Sequence, residues 1–297
     1  MAGGTMVREL EPGSLVEATF AVTRKVRRTR RDGRAYLDIE LADRSGRVRA
    51  RVWEAVELLD GRFGTGDTVR VLGRVGSYEG KVELELRDVE RLPDGDPLEL
   101  VPGARRDVDD LDGYLDFLIA EIHDDELRGV VSGILGDAPF RVRFRAAAAT
   151  EAGHHAYAGG LIEHTVAVTA LCRETAQWQP GLDTDVLTAA ALLHDCGTPD
   201  ALADGPVIRP SAEGLALGHV HTGLRRIETA AGRTRLPRER LLHLLACVAA
   251  HHGPPEGRRF PSAEAVALHA ANALDARVAE ARSADRSAER AEKRSSS

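Results

Sequence analysis

Leu192-Leu193-His194-Asp195-Cys196-Gly197 ends an apolar run with an imidazole and a carboxylate side by side. The run before it, from Val186, has helical spacing, and Asp183 or Thr184 is positioned to cap it. Neighbouring residues on a helix point about 100° apart, so His194 and Asp195 reach one cavity only near a helix end. Working outward, His164 precedes the pair, and His219, the doublet His251-His252 and Asp275 follow it. Each sits where a helical pattern is legible. Asp275 lies between apolar neighbours in Ala273-Leu274-Asp275-Ala276, where a carboxylate is costly to bury unless paired or metal-bound. A single buried histidine is more often a satisfied core residue than a ligand, and His123, His243 and His269 are read that way. His221 is expected to face away from His219. Seven groups of the right type on successive helices are harder to explain without metal. His164, His194, Asp195, His219, His251, His252 and Asp275 are therefore the candidate ligands, with His194 and Asp195 at the centre of catalysis.

Neutral imidazoles mixed with carboxylates suit Mn, Fe, Co, Ni or Zn, whereas magnesium prefers oxygen. The carboxylate of Asp195 can bridge two ions, one oxygen each. Two such ions hold a hydroxide at neutral pH and neutralise phosphate oxygens, so the expected reaction is phosphoester hydrolysis. No G-x-S-x-G elbow, P-loop or G-x-G-x-x-G is present. Cys172, Cys196 and Cys247 show no paired spacing and fit a reducing cytoplasm. Cys196 reads as a small buried residue, with soft ligation as the alternative. No apolar run is long enough to span a membrane, and no signal peptide is evident at the N-terminus.

The 297 residues suffice for two domains. Residues 1–13 read as a tail. Residues 14–92 carry short alternating strands: Tyr36–Leu41, Arg47–Trp53, Thr68–Val75 and Lys81–Leu86, with a first strand in Leu15–Val26. Five such strands suit a small closed barrel. Its core takes Leu37, Ile39, Leu41, Val48, Ala50 and Val52, leaving Asp38 and Glu40 outside with Tyr36, Arg49, Arg51 and Trp53. Those last four make a stacking platform and phosphate track. The net charge is −7, yet residues 23–51 hold eleven Arg and Lys against four acids, the footprint of a polyanion site. Cross-strand ion pairing is the plainer alternative. Residues 93–112 read as a linker and 113–280 as a helical bundle. Pro237 is placed in the first turn of a helix running to His251, Ser262 caps the next helix, and residues 281–297 form a disordered tail.

Gly153-His154-His155-Ala156-Tyr157-Ala158-Gly159-Gly160-Leu161-Ile162-Glu163-His164-Thr165, Leu193-His194-Asp195, Gly218-His219 and Ala250-His251-His252-Gly253 resemble the HD-domain phosphohydrolases. With Arg31–Asp38, Leu41–Gly46 and Trp53-Glu54-Ala55, the chain resembles more narrowly the YhaM-type 3′→5′ exoribonucleases. The resemblance implies an N-terminal OB-fold followed by an all-α HD domain. It implies the seven ligands above, two divalent ions with manganese foremost, and single-stranded RNA, with single-stranded DNA second, as the polymer cut from its 3′ end. His154 and His155 are then expected near the substrate. One departure is Thr198, where the family usually has Lys; Arg209 or Arg258 is a candidate replacement. Two other readings remain at this stage: hydrolysis of small nucleotides with the barrel as a regulatory module, and strand binding without turnover.

Overall fold

The computed structural model describes residues 5–30, 32–78, 80–93, 100, 103–151, 153–203, 207–254 and 256–295, with side chains through residue 282. Arg31, Glu79 and residues 94–99 and 101–102 of the expected linker lie outside these. The chain divides into two compact units, one built on residues 1–103 and the other on residues 104–203 and 208–288.

The first unit is a closed five-stranded barrel. Its strands are β1 (Leu15–Thr29), β2 (Ala35–Asp43), β3 (Gly46–Val52), β4 (Thr68–Tyr78) and β5 (Lys81–Arg91), with a short helix α1 (Val56–Asp60) after β3. They run around the barrel in the order β1-β2-β3-β5-β4, all antiparallel except β3 with β5. Alternation explains the core: Leu37, Ile39, Leu41, Val48, Ala50 and Val52 all point inward and are buried. Asp43 builds the β2–β3 turn by accepting hydrogen bonds from the Ser45 amide at 2.7 Å and the Gly46 amide at 3.2 Å. Irregular register at Val22/Arg24 and at Leu72/Gly73 bends the strands so that the sheet closes.

The second unit is helical: α2 (Val108–Ala120), α3 (Asp125–Leu135), α4 (Ala138–Ala146), α5 (Gly160–Trp178), α6 (Thr184–Leu193), α7 (Thr198–Ala201), α8 (Ala212–Ala231), α9 (Arg238–Ala249) and α10 (Ala263–Ser295). Side-chain caps set several starts. Asp107, Asp124, Asp137, Asp183 and Ser211 each accept from amides of the first turn. Ser262 accepts from the Ala265 amide at 3.2 Å. α6 is buried from Val186 to Leu193 and packs against α5, α9 and α3. A helix apolar on every side belongs at the centre of a core, so its C-terminal end delivers His194 and Asp195 into the interior.

Four expectations are corrected here. α2 begins at Val108, inside the expected linker, because Asp107 caps it. α9 ends at Ala249 and starts after Pro237, which is its N-cap, so His251 and His252 lie just beyond the helix. α10 continues to Ser295 through the segment read as a disordered tail. His123 is exposed beside Asp185 and is no core residue. Among the described residues no helix is long and apolar enough to cross a membrane.

Gly197 marks a close backbone approach beside the site. A Cβ there would lie 2.0 Å from the His219 carbonyl oxygen and 2.4 Å from the Gly223 amide nitrogen. The expected outcome for Gly197→Ala is a loss of about 1–3 kcal/mol, the usual cost of overpacking, read as a lowered melting temperature by circular dichroism. Gly61→Ala, at an αR residue with nothing within 4 Å of the new methyl, should leave the melting temperature unchanged.

Candidate metal centre and nucleic-acid face

Two helix ends supply the core of the site by the same device. His194 follows α6, and its Nδ1–H donates to the Ala191 carbonyl at 2.8 Å. His251 follows α9, and its Nδ1–H donates to the Val248 carbonyl at 2.6 Å. Each satisfies a carbonyl that the end of a helix leaves without an amide. Each also fixes the tautomer, leaving Nε2 with a lone pair. His164, in the second turn of α5, is fixed by Asp275 of α10, whose Oδ2 lies 2.7 Å from its Nδ1. The Nε2 atoms of His164 and His194 then face each other at 3.2 Å. His219 and His252 meet similarly, Nε2 to Nε2 at 2.9 Å.

Asp195 stands between these groups. Its Oδ2 is 3.4 Å from His194 Nε2 and 3.8 Å from His164 Nε2. Its Oδ1 is 3.4 Å from His219 Nε2 and 3.5 Å from His251 Nε2. The donor atoms of Asp195, His219, His251 and His252 lie within 4.8 Å of one another, as do those of His164, His194 and Asp195. The donors of His155, His164 and Asp275 form a third such group. All seven predicted ligands therefore converge, with one carboxylate shared between two imidazole clusters.

The electrostatics fit a cation. Burial alone raises the Asp195 carboxyl, but His194, His251 and His219 overcome it and hold it well below the ordinary carboxylate range. Burial depresses His194 to about 3 and, with His251 beside it, His252 to about 4. Burial also lowers His219 and, with His164 nearby, His154. At neutral pH a buried carboxylate thus stands beside the uncharged rings of His194, His219 and His252. Asp195 Oδ1 and His251 Nε2 are buried with no hydrogen-bond partner. Unpaired buried groups of this kind carry a large penalty that a bound divalent cation removes, so the residues fit a metal. Cys196 does not join them. Burial pushes its thiol up to about 12, and its Sγ faces the Gly223 carbonyl at 3.8 Å.

His219 reaches the cluster because α8 breaks at Gly218, whose φ of 71° and ψ of 164° lie outside the helical region. Glycine adopts that conformation without steric cost. His221 is exposed, consistent with its pointing away. Thr198, at the position where the family usually has Lys, is buried with its Oγ1 unpartnered. Arg209 and Arg258 are both exposed.

His154 and His155 differ from each other. His155 has a φ of 48°, unusual for a non-glycine residue. Its Nε2 donates to Asp275 Oδ2 at 2.9 Å and its Nδ1 meets the Tyr157 hydroxyl at 2.7 Å. Tyr157 in turn donates to Glu163 at 2.7 Å. Both ring nitrogens of His155 are thus engaged within the protein, and the chain of bonds holds Asp275 in place. His154 packs its half-buried ring against His164 at 5.4 Å. The reading of the sequence missed Tyr157 and Glu163, although both lie in the stretch that carries the family resemblance. It also missed His269 and Asn272, which hold the His251 carbonyl at 2.9 and 3.3 Å.

On the barrel, Tyr36 and Trp53 pack with centroids 4.8 Å apart, Arg30 lies 3.8 Å over Trp53, and Arg51 lies 5.4 Å from it. The expected excess of free arginines is corrected. Arg49 forks onto Asp38 at 2.7 and 3.1 Å, and Arg24 and Arg28 bind the same carboxylate. Arg51 pairs with Glu83 at 3.0 Å, and Lys25 and Arg27 pair with Asp60. Glu83 and Asp60 are distant in sequence, so a count over residues 23–51 could not include them. Asp38, expected outside, is fully buried under its arginines.

Comparisons with known proteins agree with this geometry. Residues 161–286 match the family model of the HD domain, and residues 21–92 match that of an OB-fold nucleic acid binding domain. The chain joins an OB-fold to an HD domain. It is 28% identical over 288 residues to the 3′-5′ exoribonuclease YhaM of Bacillus licheniformis, covering 94% of this chain and 89% of that protein. The Bacillus subtilis protein of the same name is 28% identical over 289 residues, with the same coverage. That of Listeria monocytogenes is 25% identical over 275 residues, covering 90% of this chain and 87% of its own.

The depressed imidazoles of the HD domain predict a pH dependence. A histidine whose folded pKa lies below its unfolded value of about 6.5 binds fewer protons when folded. Its contribution to stability is complete above about pH 6.5 and is lost as pH falls toward the folded value, about 3 for His194 and about 4 for His252. The carboxylates act only below their own unfolded values, under about pH 4. The metal-free protein is therefore expected to melt at progressively lower temperature from about pH 7 to pH 5. Thermal scans in chelator check this, and a flat profile counts against buried neutral rings.

Proposed function

We propose that this protein is a metal-dependent 3′→5′ exonuclease that shortens single-stranded RNA, with the barrel holding the strand and the HD domain hydrolysing the terminal phosphodiester. One observation carries the hydrolytic half: Asp195 offers one oxygen to His164 and His194 and the other to His219 and His251. Those residues would hold two divalent cations, with His252 among the donors and Asp275 orienting His164. Mixed nitrogen and oxygen donors suit Mn, Fe, Co, Ni or Zn better than magnesium, and the family resemblance puts manganese foremost among them. Such ions, when bound, make water a nucleophile at neutral pH and offset the charge of phosphate oxygens. The chain's own part is to orient. Carbonyl-anchored His194 and His251 keep their lone pairs aimed inward, and the His155–Tyr157–Glu163 chain keeps Asp275 on His164.

The polymer half rests on the barrel. Tyr36, Trp53 and Arg30 form a stacked surface, and Arg49 and Arg51 are held beside it by carboxylates that leave further N–H groups free to meet phosphate. The relatives' printed name, 3′-5′ exoribonuclease, supplies the direction of attack and the choice of RNA.

Full-length protein with manganese should shorten a 5′-labelled single-stranded RNA one nucleotide at a time on a denaturing gel, and single-stranded DNA run in parallel reports the sugar preference. Asp195→Ala should abolish release while leaving strand affinity nearly intact. Cleavage by that variant after exhaustive chelation would overturn the proposal. Separately, Trp53→Ala should cost about 1–3 kcal/mol of strand binding, the worth of one stacked base, by fluorescence anisotropy, with no change in metal content.

A further inference from the structure

His154 stands beside the centre yet belongs to none of its three donor groups. Its ring lies 5.4 Å from that of His164. The position is on the open side. His164, His194, Asp195 and His251 are buried, whereas His154, His219 and His252 reach solvent. Whatever enters the centre therefore meets these three rings. The loop that carries His154 is fixed locally. The Thr150 hydroxyl donates to the His154 carbonyl at 2.6 Å, and Gly153 turns the chain with a φ of 102°, which glycine adopts without steric cost.

Glu280 of α10 closes on this loop. Its Oε1 lies 3.6 Å from His154 Nδ1. A Cβ at Gly153 would come within 3.2 Å of the same oxygen, so the bare backbone there leaves room for the carboxylate. The separation exceeds a closed hydrogen bond, as is common for catalytic pairs before substrate arrives. Burial, then the neighbouring His164 and His155, lower the pKa of His154 from its ordinary value against the pull of Glu280. The ring is therefore uncharged at neutral pH and carries one proton. A carboxylate facing Nδ1 draws that proton to Nδ1 and leaves Nε2, at the other edge of the ring, with a bare lone pair. Among the described residues nothing donates to that nitrogen.

A bare lone pair restricts what it can meet. Phosphodiester oxygens only accept hydrogen bonds, so they do not pair with it. A donor comes either from the attacking water, which every phosphodiester hydrolysis needs, or from a ribose hydroxyl. We infer that His154 Nε2 accepts a hydrogen bond from the attacking water, and that Glu280 is the positioning residue that keeps Nε2 free for it. His154 is then a catalytic residue apart from the seven candidate ligands. A fixed acceptor aligns the nucleophile and removes part of the entropic cost of reaching the transition state. The role of His154 rests on the proposed hydrolysis, whereas its pairing with Glu280 stands on geometry.

The test uses the full chain. Nitrogen NMR of the metal-free protein should find His154 protonated on Nδ1, with Glu280→Leu shifting the proton toward Nε2. Steady-state kinetics with manganese then compare single-stranded RNA with the same strand bearing 2′-deoxy sugars at its 3′ end. His154→Phe should lower kcat about tenfold or more on both strands, the worth of one hydrogen bond, and keep KM, manganese content and melting temperature. Glu280→Leu should approach that loss, and Glu280→Gln, whose carbonyl still accepts from Nδ1–H, should recover most of it. The double variant should be no slower than His154→Phe alone. Additive losses, or a tautomer that ignores Glu280→Leu, would overturn the positioning role. An unchanged kcat or a lost manganese ion in His154→Phe would overturn the catalytic one, as would a loss confined to the all-ribose strand, which assigns Nε2 to a ribose hydroxyl. A wild type that cuts neither strand would instead remove the exonuclease reading and leave the tautomer to decide the Glu280 pairing.

Discussion

A hydrogen bond from an imidazole Nδ1–H to the last carbonyls of a helix is the interaction on which the centre depends. It occurs at Ala191 for His194 and at Val248 for His251. In each case a backbone group that would otherwise be orphaned is satisfied by a side chain, and that same bond dictates which ring nitrogen is bare. Because α6 is buried on all sides, the bare nitrogen of His194 can only face inward. The rest of the site is assembled around that fixed direction: α5 brings His164 to it, the break at Gly218 turns His219 toward it, and α10 supplies Asp275.

Much of this was legible in the sequence because its signals are local. Two-residue alternation placed Leu37, Ile39, Leu41, Val48, Ala50 and Val52 correctly inside the barrel. The seven ligand candidates were visible because donors of one chemical type sit at helix ends and midpoints. What stayed hidden depends on long-range contact. The partners of Arg51 and Lys25, Glu83 and Asp60, come from other strands and from α1. Asp38 obeys the alternation yet is covered from outside by arginines, so period alone misjudged its exposure. The roles of His269 and Asn272 required knowing that α10 passes behind the His251 carbonyl. No spacing rule reveals that.

The support behind the candidate ligands is as extensive as those residues themselves. Asp275 is held by His155, His155 by Tyr157, and Tyr157 by Glu163. Burial and the neighbouring carboxylate both raise the Tyr157 phenol, so it stays a proton donor across the working range. Such outer contacts fix ring orientation and ligand basicity in metal sites generally. The left-handed backbone of His155 belongs to this layer of support.

The arginines that crowd Asp38 bear on how the barrel would meet a polyanion. A free arginine surrenders much rotational freedom when it grips a phosphate, and that loss weakens association. Arg49 is already anchored through two of its N–H groups before any strand arrives, so its loss of freedom was incurred during folding. The buried carboxylate thus acts as a jig, presenting guanidinium edges at set positions and making strand capture less costly in disorder.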